Sequence, residues 1–584
     1  MHCVILCGGL GTRLGQYAGI FLKPMALIGG RPVIEHQIDL ARQAGVHDIV
    51  LITGHQADTI EAYFGDGSRF GVNVHSFREP RPLGTTGGIK AVQDRLTDDF
   101  LVLYGDVMMC FDIARLVRFH REHQALASLV VHANEHPYDS DLVELDDSAR
   151  IVAFHAKPHP PSRYYANLVN AGAYLLSPGM LPHLEAGVKA DFGRDIFPRL
   201  VPTRRLYGYN TPEYLKDIGI PERYDRVNAD WASGKIQRMH LRNPRPAIYL
   251  DRDGVLNHHV NNLAHPDQFE LLPGVARTIR RINQSEHLAL VVTNQPAIAK
   301  GMTTFEQVVE VHRKLESLLG EQHAKLDAIA FCPHHPDRGF PGEIAELKGP
   351  CECRKPATGM ICRLAEKYHV DLANSFLIGD SGRDLECAVA AGMTPIGVRT
   401  GLGCCDMASE PPFLFDDLEE AVTFLLDDPL RAVAEAVRTS LPRAAGGPSI
   451  IVVDGSTRSG KTILAAYLGR DLARHGRRIV RLAVEGLSAV IEDPDRNVDT
   501  VIVEGRPDHA AAVLARPVDL YIQTDIDEAQ QAGRLERHAR WKGLTANEIV
   551  DFIRSREHGD QTRWAAGAAV EADLHVFAGR LRQP

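Results

Sequence analysis

The sequence predicts an α/β protein of three consecutive α/β domains, and three observations predict it. At 584 residues the chain exceeds what one hydrophobic core organises. Three times a short apolar run, of the kind that makes a buried parallel strand, opens directly onto a loop of special composition: "CVILCGGLGTRL" at 3–14, "AIYLDRDG" at 247–254 and "SIIVVDGSTRSGKT" at 449–462. Two stretches between them read as linkers, the basic, proline-bearing "ASGKIQRMHLRNPRP" (232–246) and "SLPRAAGGPS" (440–449), rich in Pro, Gly and Ala. In parallel α/β folds ligands sit beyond the carboxyl ends of strands, so each domain is expected to begin with its site-bearing first strand. The expected domains span 1–235, 246–430 and 448–584. No self-similarity at periods of about 20 to 50 residues suggests a repeat array instead.

Composition narrows the class. Hydrophobic residues make up 44% of the chain and charged residues 24%, as in a soluble globular protein. No apolar run is long enough to span a bilayer, and "MHCVILCGG" lacks the basic stretch that precedes a secretory apolar core. Ten cysteines, several of them lone residues in apolar runs, suit a reducing cytoplasm better than a disulfide framework. A net charge of −10 argues against wholesale binding of nucleic acid. The expected partners are small molecules in the cytoplasm, with neither membrane nor nucleic acid involved; a homo-oligomer stays open.

In the first domain, "GGLGTRL" (8–14) follows the strand directly, and Gly8, Gly9 and Gly11 allow backbone N–H groups to approach phosphates. Arg13 adds a planar cation for phosphate oxygens. "LKP" at 22–24 and "PLGTTGGI" at 82–89 follow, and "FLVLYGDV" at 100–107 is an apolar strand that delivers Asp106 to its tip. "YLKDIGIPERY" at 214–224 offers a second carboxylate, Asp217. In this order the five motifs resemble the sugar-1-phosphate nucleotidylyltransferase family over nearly all of residues 1–230, and within it the heptose 1-phosphate guanylyltransferases. The resemblance implies a Rossmann-like fold in which Gly8, Gly9, Gly11, Thr12, Arg13, Gly84, Thr85 and Gly87 bind nucleotide. It further implies that Arg13 and Lys23 balance phosphate charge, that Asp106 and Asp217 hold Mg²⁺, and that Lys157 and Asn170 meet the sugar phosphate. Ala156 stands where the family often has a sugar-contacting glutamate, which bears on the sugar and not on the reaction. GTP is the expected nucleotide, with CTP, UTP and ATP as alternatives.

In the second domain "IYLDRDGVLN" (248–257) sets two carboxylates two residues apart just past a strand. Asp251 can attack phosphorus while Asp253 serves the leaving oxygen and then water, with Mg²⁺ screening the approach of two anions. "LVVTNQ" (290–295) ends a strand with Thr293 and Asn294, suited to phosphate oxygens; Lys355 supplies fixed charge, and "FLIGDSGRD" (376–384) brings Asp380 for metal with Asp384 behind it. This order resembles the haloacid dehalogenase superfamily over about 247–402. Through "DRDGVLN", "LLPGV", "TNQ", "CPHHP", "CECRKP" and "GMTPIGVRTG" it more closely resembles the heptose-1,7-bisphosphate 7-phosphatases. The resemblance implies Mg²⁺ ligation by Asp251, Asp253 and Asp380, and substrate binding by Thr293, Asn294, Gln295, Arg354 and Lys355. It also implies a structural Zn²⁺ on Cys332, His334, Cys351 and Cys353, with His335 the competing imidazole. Two pairs with one intervening residue suit a closed tetrahedral site; a redox pair would more often read Cys-x-x-Cys. The loop "HPDRGFPGEIAELKGP" is longer than usual, and "TNQPAIAKG" departs from the family run.

In the third domain "GSTRSGKT" (455–462) fits the phosphate-loop pattern fully, so Gly455, Ser459, Gly460 and Lys461 are expected around phosphates and Thr462 on Mg²⁺. "VDTVIVEG" (498–505) places Glu504 at a second strand tip as a further Mg²⁺ ligand, and Arg534, Arg537 and Arg540 are spaced along one helical face. A solvated charged face is the ordinary reading of such arginines. Residues 449–545 resemble, in part, the uridine kinase and phosphoribulokinase group of P-loop NTPases, which implies an arginine lid over ATP. Glu485 is the nearest candidate for the catalytic base, and the span from Thr462 to Val501 is short for an acceptor pocket.

The three expectations join into one sequence of reactions. A heptose 7-phosphate would be phosphorylated at C1 with ATP, stripped of its C7 phosphate, and coupled to a nucleotide as GDP-heptose. One alternative makes the third domain a non-catalytic ATP-binding module. Another is polynucleotide end repair, against which residues 449–584 hold 19 Lys and Arg and 20 Asp and Glu, leaving no basic excess for a phosphate backbone.

Overall fold

The computed structural model describes residues 1–8, 22–54, 56–408 and 411–428, residues 431, 434, 435 and 438, and then 449–455, 461–475, 477, 479–483, 500–504, 520–525, 574–577 and 580–582. They form two compact units, Met1–Leu377 with Glu386–Thr394, and Ile378–Leu385 with Pro395–Pro584. No helix among the described residues is long and apolar enough to cross a membrane.

The first sheet has nine strands: β1 (His2–Leu6), β2 (Asp48–Thr53), β3 (Asn73–Arg78), β4 (Phe100–Tyr104), β6 (Ala127–His132), β7 (Leu142–Leu145), β8 (Ile151–His155), β9 (Val169–Leu176) and β10 (Leu206–Asn210). Its order is β8-β7-β9-β4-β1-β2-β3, with β6 pairing both β9 and β10. Strand β1 is parallel to β2 and β4 and apolar on both faces, as a strand covered on both sides must be. Cys3 and Ile5 enter one core with Ile34 and Ile38 of helix α1 (Val33–Gln43); Val4 enters the other with Val50, Ile52 and Val102. Beside this sheet, β5 (Val107–Cys110) and β11 (Tyr214–Asp217) form an antiparallel ribbon, followed by helix α2 (Pro221–Ala232).

The second sheet runs β14-β13-β12-β15-β16-β17, where β12 is Ala247–Leu250, β13 Leu288–Asn294, β14 Ala328–Cys332, β15 Phe376–Gly379, β16 Thr394–Val398 and β17 Leu414–Phe415. Helix α3 (Val275–Gln284) precedes β13. Helix α4 (Phe305–Gly320) starts at a capping box between Thr304 and Gln307 and buries Val308, Val311, Leu315 and Leu319, a helical stripe of apolar side chains. Helix α5 (Gly382–Ala390) follows β15.

The third sheet runs β19-β20-β18-β21-β22-β23, with β18 Ser449–Gly455, β19 Ile479–Ala483, β20 Thr500–Glu504, β21 Leu520–Asp525, β22 Leu574–Phe577 and β23 Arg580–Arg582. All its pairings are parallel except β22 with β23. Helix α6 (Lys461–Arg474) follows β18. Because β18 lies between β20 and β21, the strand order reverses there, as at the switch point of a doubly wound sheet.

The stretch 232–246, expected as a linker, is packed structure. Gly234 turns the chain at φ +73°, a short helix (Lys235–Arg238) follows, and Lys235 Nζ donates to the carbonyl oxygens of Asn283 and Gln284 at the negative end of α3. Arg245 is buried and donates to the carbonyl oxygens of Pro212 and Glu286. Lys235 and Arg245 therefore serve carbonyl acceptors within the fold.

Glu213, fully buried beside β11, accepts from Asp112 N at 3.0 Å, Leu241 N at 2.9 Å and the Thr211 hydroxyl at 2.8 Å. Burial nevertheless pushes its pKa from 4.5 up to about 7. Between those two values the unfolded chain releases this proton and the folded chain keeps it, so the group removes stability as pH rises through that window. The expected result for Glu213→Gln is a melting temperature that gains on the wild type between pH 5 and pH 7.5. Curves that stay parallel would exclude a protonated Glu213.

Candidate active sites

The transferase-type site is built at the tips of β4 and β11. Asp106 follows β4, and its carbonyl accepts from Ile218 N at 3.0 Å. Ribbon pairing sets Asp217 opposite Val107, so the two aspartates lie side by side. Lys23 is buried with its Nζ 3.5 Å from Asp106 Oδ2, which offsets the cost of burying its charge. A Cβ placed on Gly219 would lie 2.9 Å from Asp217 Oδ2 and 3.6 Å from Lys23 Nζ, so these side chains converge on one spot. Two residues that the motifs did not reveal hold the arrangement. Gln37, wholly buried on α1, donates from Nε2 to Tyr104 O at 2.9 Å and Val107 O at 2.7 Å, bracing the turn that carries Asp106. Arg223 Nη1 donates to both Asp217 oxygens at 2.8 Å, and its Nη2 binds Asp139. The pair Asp106 and Asp217 offers oxygen donors alone, which fits a hard cation such as Mg²⁺; bound there, it would neutralise developing phosphate charge.

The remaining expected residues of this region fall into two groups. Gly84 has φ +77° and backs onto Ala190, where a Cβ would lie 2.2 Å from the carbonyl oxygen, so only glycine fits that turn. Thr85 beside it donates to Asp191 Oδ2 and accepts from Phe192 N, while Gly87 begins the helix that follows. On the sugar side, Lys157 Nζ donates to Asp139 O at 2.7 Å and its backbone N to Asp141 Oδ1 at 3.3 Å. Asn170 N donates to Asp141 O, and its Nδ2 to the Tyr174 hydroxyl. Gly8 ends the described part of the first loop; Gly9, Gly11, Thr12 and Arg13 lie outside the described residues.

The phosphatase-type site sits at the tips of β12 and β13. Asp251 accepts from Arg252 N at 2.7 Å, and Lys355 Nζ, nearly fully buried, lies 2.9 Å from its Oδ1. A cation this close answers the negative charge that a carboxylate nucleophile carries. Lys355 is fixed by a reciprocal pair in which its N donates to Asn294 Oδ1 at 3.0 Å while Asn294 Nδ2 donates to Lys355 O at 3.1 Å. Thr293 is buried and accepts from Gln295 Nε2.

Asp253 is gripped by Arg252, by Asn257 Nδ2 at 3.0 Å and by Gln295 Nε2 at 2.8 Å. Burial opposes its charge, yet Arg252 and these hydrogen bonds prevail and hold the carboxyl below its ordinary value. Asp253 thus rests as a carboxylate, the form from which the base half of its expected role starts. Gln295, expected among substrate-binding residues, spends its amide on Asp253 and Thr293. Arg252, fully buried, donates Nη1 to His312 Nε2 at 3.1 Å; burial drives that imidazole down to about 3, so it is a neutral acceptor. Neither Arg252 nor His312 stood out in the sequence, since 60 residues separate them.

At the tip of β15, Asp380 accepts from Leu402 N at 2.8 Å, and Asp384 accepts from Ser381 N and Oγ. Asp380 and Asp384 present carboxylate oxygens within 4.8 Å of each other, donors that fit Mg²⁺.

A second group with the same span is Cys332, His334, Cys351 and Cys353. Cys353 Sγ is 3.1 Å from Cys332 Sγ, 3.5 Å from Cys351 Sγ and 3.3 Å from His334 Nδ1; Cys332 Sγ is 3.6 Å from His334 Nδ1 and 3.7 Å from Cys351 Sγ. No sulfur pair is at bonding distance, and all four thiol and imidazole donors face one point. A tetrahedron with Zn–S legs of about 2.3 Å has edges of about 3.8 Å, so the group, somewhat contracted, fits zinc. His334 is the imidazole that lies within this group, while His335 Nδ1 accepts from Asp337 N at 3.2 Å. Arg354 donates to His334 O at 3.2 Å, tying the cluster to the chain that carries Lys355.

In the third region Gly455 ends β18, while Lys461 and Thr462 begin α6 and Glu504 ends β20. Ser459, Gly460, Glu485, Arg534, Arg537 and Arg540 lie outside the described residues.

Residues 2–234 match the family model described as nucleotidyl transferase, and residues 352–421 the one described as HAD-hydrolase-like. A mannose-1-phosphate guanylyltransferase of Mycobacterium tuberculosis is 33% identical over 248 residues, 42% of this chain and 68% of its own length. A D-glycero-beta-D-manno-heptose-1,7-bisphosphate 7-phosphatase of Rhodopseudomonas palustris is 40% identical over 149 residues, 26% of this chain and 81% of its own. A D-glycero-D-manno-heptose-1,7-bisphosphate 7-phosphatase of Thermosynechococcus vestitus is 36% identical over 189 residues, 31% of this chain and 96% of its own. The transferase and phosphatase expectations are met by these matches.

Proposed function

Over residues 2–234 the chain belongs to the nucleotidyl transferase family and in its second part to the HAD phosphatases, and from that premise we propose that it makes a nucleotide-activated heptose. The second domain removes the C7 phosphate of a heptose 1,7-bisphosphate, and the first couples the resulting heptose 1-phosphate to GTP, giving GDP-heptose and pyrophosphate. The observation that carries this reading is the presence on one chain of the converging Lys23, Asp106 and Asp217 and of a Lys355–Asp251 pair beside a four-ligand Cys/His cluster. Relatives of the second domain are named for heptose bisphosphate, and a relative of the first for guanylyl transfer.

In the transferase, Lys23 and Lys157 receive the sugar phosphate and triphosphate charge while Asp106 and Asp217 hold Mg²⁺. In the phosphatase, Asp251 attacks phosphorus, Lys355 screens the incoming phosphate, and Asp253 takes up a proton from solvent, gives it to the leaving sugar oxygen and regains it from the water that opens the phospho-aspartate.

The third domain binds ATP and phosphorylates heptose 7-phosphate at C1. What supports it is the course of the chain: a central strand, a phosphate-loop sequence, a helix starting at Lys461, and a strand order that reverses at β18.

The test supplies heptose 7-phosphate, ATP and Mg²⁺ with GTP, CTP or UTP in turn, products being read by mass spectrometry. GDP-heptose is expected. No bisphosphate from heptose 7-phosphate and ATP alone would leave the third domain a nucleotide-binding module. No nucleotide-heptose from supplied heptose 1-phosphate would remove the reading of the first domain.

Zinc in the Cys/His cluster is structural, since four protein ligands leave no open position. Cys351→Ser is expected to lower bound zinc from one per chain to near zero and to cut the phosphatase rate by roughly tenfold or more through disorder beside Lys355. Zinc content equal to wild type would sink the assignment.

A further inference from the structure

Helix α4 belongs by its place in the chain to the phosphatase, yet one of its faces is bonded to the transferase. Arg313 Nη2 donates to Glu144 Oε2 at 2.7 Å, and the same largely buried carboxylate also receives His155 Nε2 at 2.7 Å and Arg163 Nη2 at 3.0 Å. One turn further on, Ser317 Oγ accepts from Tyr165 N at 2.9 Å, and Ser317 O accepts from the Tyr138 hydroxyl at 3.2 Å. Gly320 ends the helix so close to Pro137 that a Cβ would lie 2.7 Å from its ring.

These bonds end on the two segments that seat Lys157. His155 closes β8 two residues before Lys157. Tyr138 precedes Asp139, whose carbonyl takes Lys157 Nζ and whose carboxylate takes Arg223, the residue gripping Asp217. Apolar contact alone would join two domains without choosing such targets; charge-assisted and backbone hydrogen bonds fix register as well as attachment. The residue before Arg313 is His312, which meets Arg252 in the phosphatase site, so one rigid helix carries a contact toward each site.

We propose that α4 is a positioning element for nucleotidyl transfer, in which Arg313 and Ser317 of the phosphatase domain hold Lys157 and Asp139 where the sugar 1-phosphate binds. The proposal rests on the transferase reading of the first domain. Arg313 and Ser317 touch no substrate; they act through Glu144, Tyr165 and Tyr138.

The test uses the full-length chain with Arg313→Ala, Arg313→Lys and Ser317→Ala. It measures nucleotidyl transfer from heptose 1-phosphate and GTP, phosphatase rate, and amide hydrogen exchange over residues 136–144 and 155–167. For Arg313→Ala and Ser317→Ala, KM for the sugar 1-phosphate is expected to rise roughly five- to twentyfold, with KM for GTP and the phosphatase rate within about twofold of wild type. Exchange should quicken in both segments, and Arg313→Lys should recover most of the loss. An unchanged sugar-phosphate KM despite quickened exchange would overturn the proposal. So would a parallel rise in both KM values, which marks general loosening. A wild-type chain that transfers no nucleotide would strike the transferase reading instead. In that case unchanged exchange in Arg313→Ala would still overturn the seating of Lys157 by Arg313.

Discussion

Asp251→Asn is expected to lower phosphate release from heptose 1,7-bisphosphate by about 10³-fold or more while leaving nucleotidyl transfer from supplied heptose 1-phosphate within about twofold of wild type. The amide is isosteric but carries no charge with which to attack phosphorus, and it cannot answer the Lys355 ammonium 2.9 Å away. The fold should tolerate the change, because Lys355 stays held through its backbone by Asn294. Rates are read by phosphate release and by pyrophosphate release in parallel. Loss of both activities would mean that the two domains are not independent catalysts. Retention of phosphatase activity would mean that Asp251 is not the nucleophile.

Asp106→Asn is expected to have the converse effect, a fall of about 10²- to 10³-fold in nucleotidyl transfer with phosphatase activity unchanged. Three changes fall on one spot: the Lys23 partner at 3.5 Å loses its charge, the oxygen donors beside Asp217 fall from two carboxylates to one, and the balance turns cationic. Titrating Mg²⁺ separates these causes. A raised Mg²⁺ requirement is the signature of a lost ligand; a Mg²⁺ dependence identical to wild type would move Asp106 from metal binding to charge balance with Lys23 alone.

Much of both sites was legible in the chain because each depends on runs of adjacent residues at strand tips. "DRDG", "TNQ" and "CECRKP" carry their spacing with them, and the backbone of a strand end determines where such side chains point. The bracing of those residues was not legible. Gln37 lies on a helix far upstream of the Asp106 turn it supports, one polar side chain among several in that helix, so nothing in its spacing marks it. Arg252 stands inside the nucleophile motif itself, but its partner His312 is on α4, and only the fold brings them within 3.1 Å.

By itself, the sequence pointed to three strand-led stretches and, within two of them, to residues that the structure brings near one another: Lys23 with Asp106, Lys355 with Asp251, and the three cysteines Cys332, Cys351 and Cys353. These follow from local chemistry, in which residue type and short spacing suffice. Only the tertiary structure decided which of two adjacent imidazoles joins the cluster, because neighbours on extended chain point to opposite sides and His335 meets Asp337 instead. It also decided that 232–246 is packed structure, since its basic side chains find carbonyl oxygens that exist as a set only once α3 and β11 have folded beside it. And it set one face of α4 against Glu144 and Tyr138 while His312 on the same helix meets Arg252, because a helix has several faces and sequence periodicity marks only the apolar one.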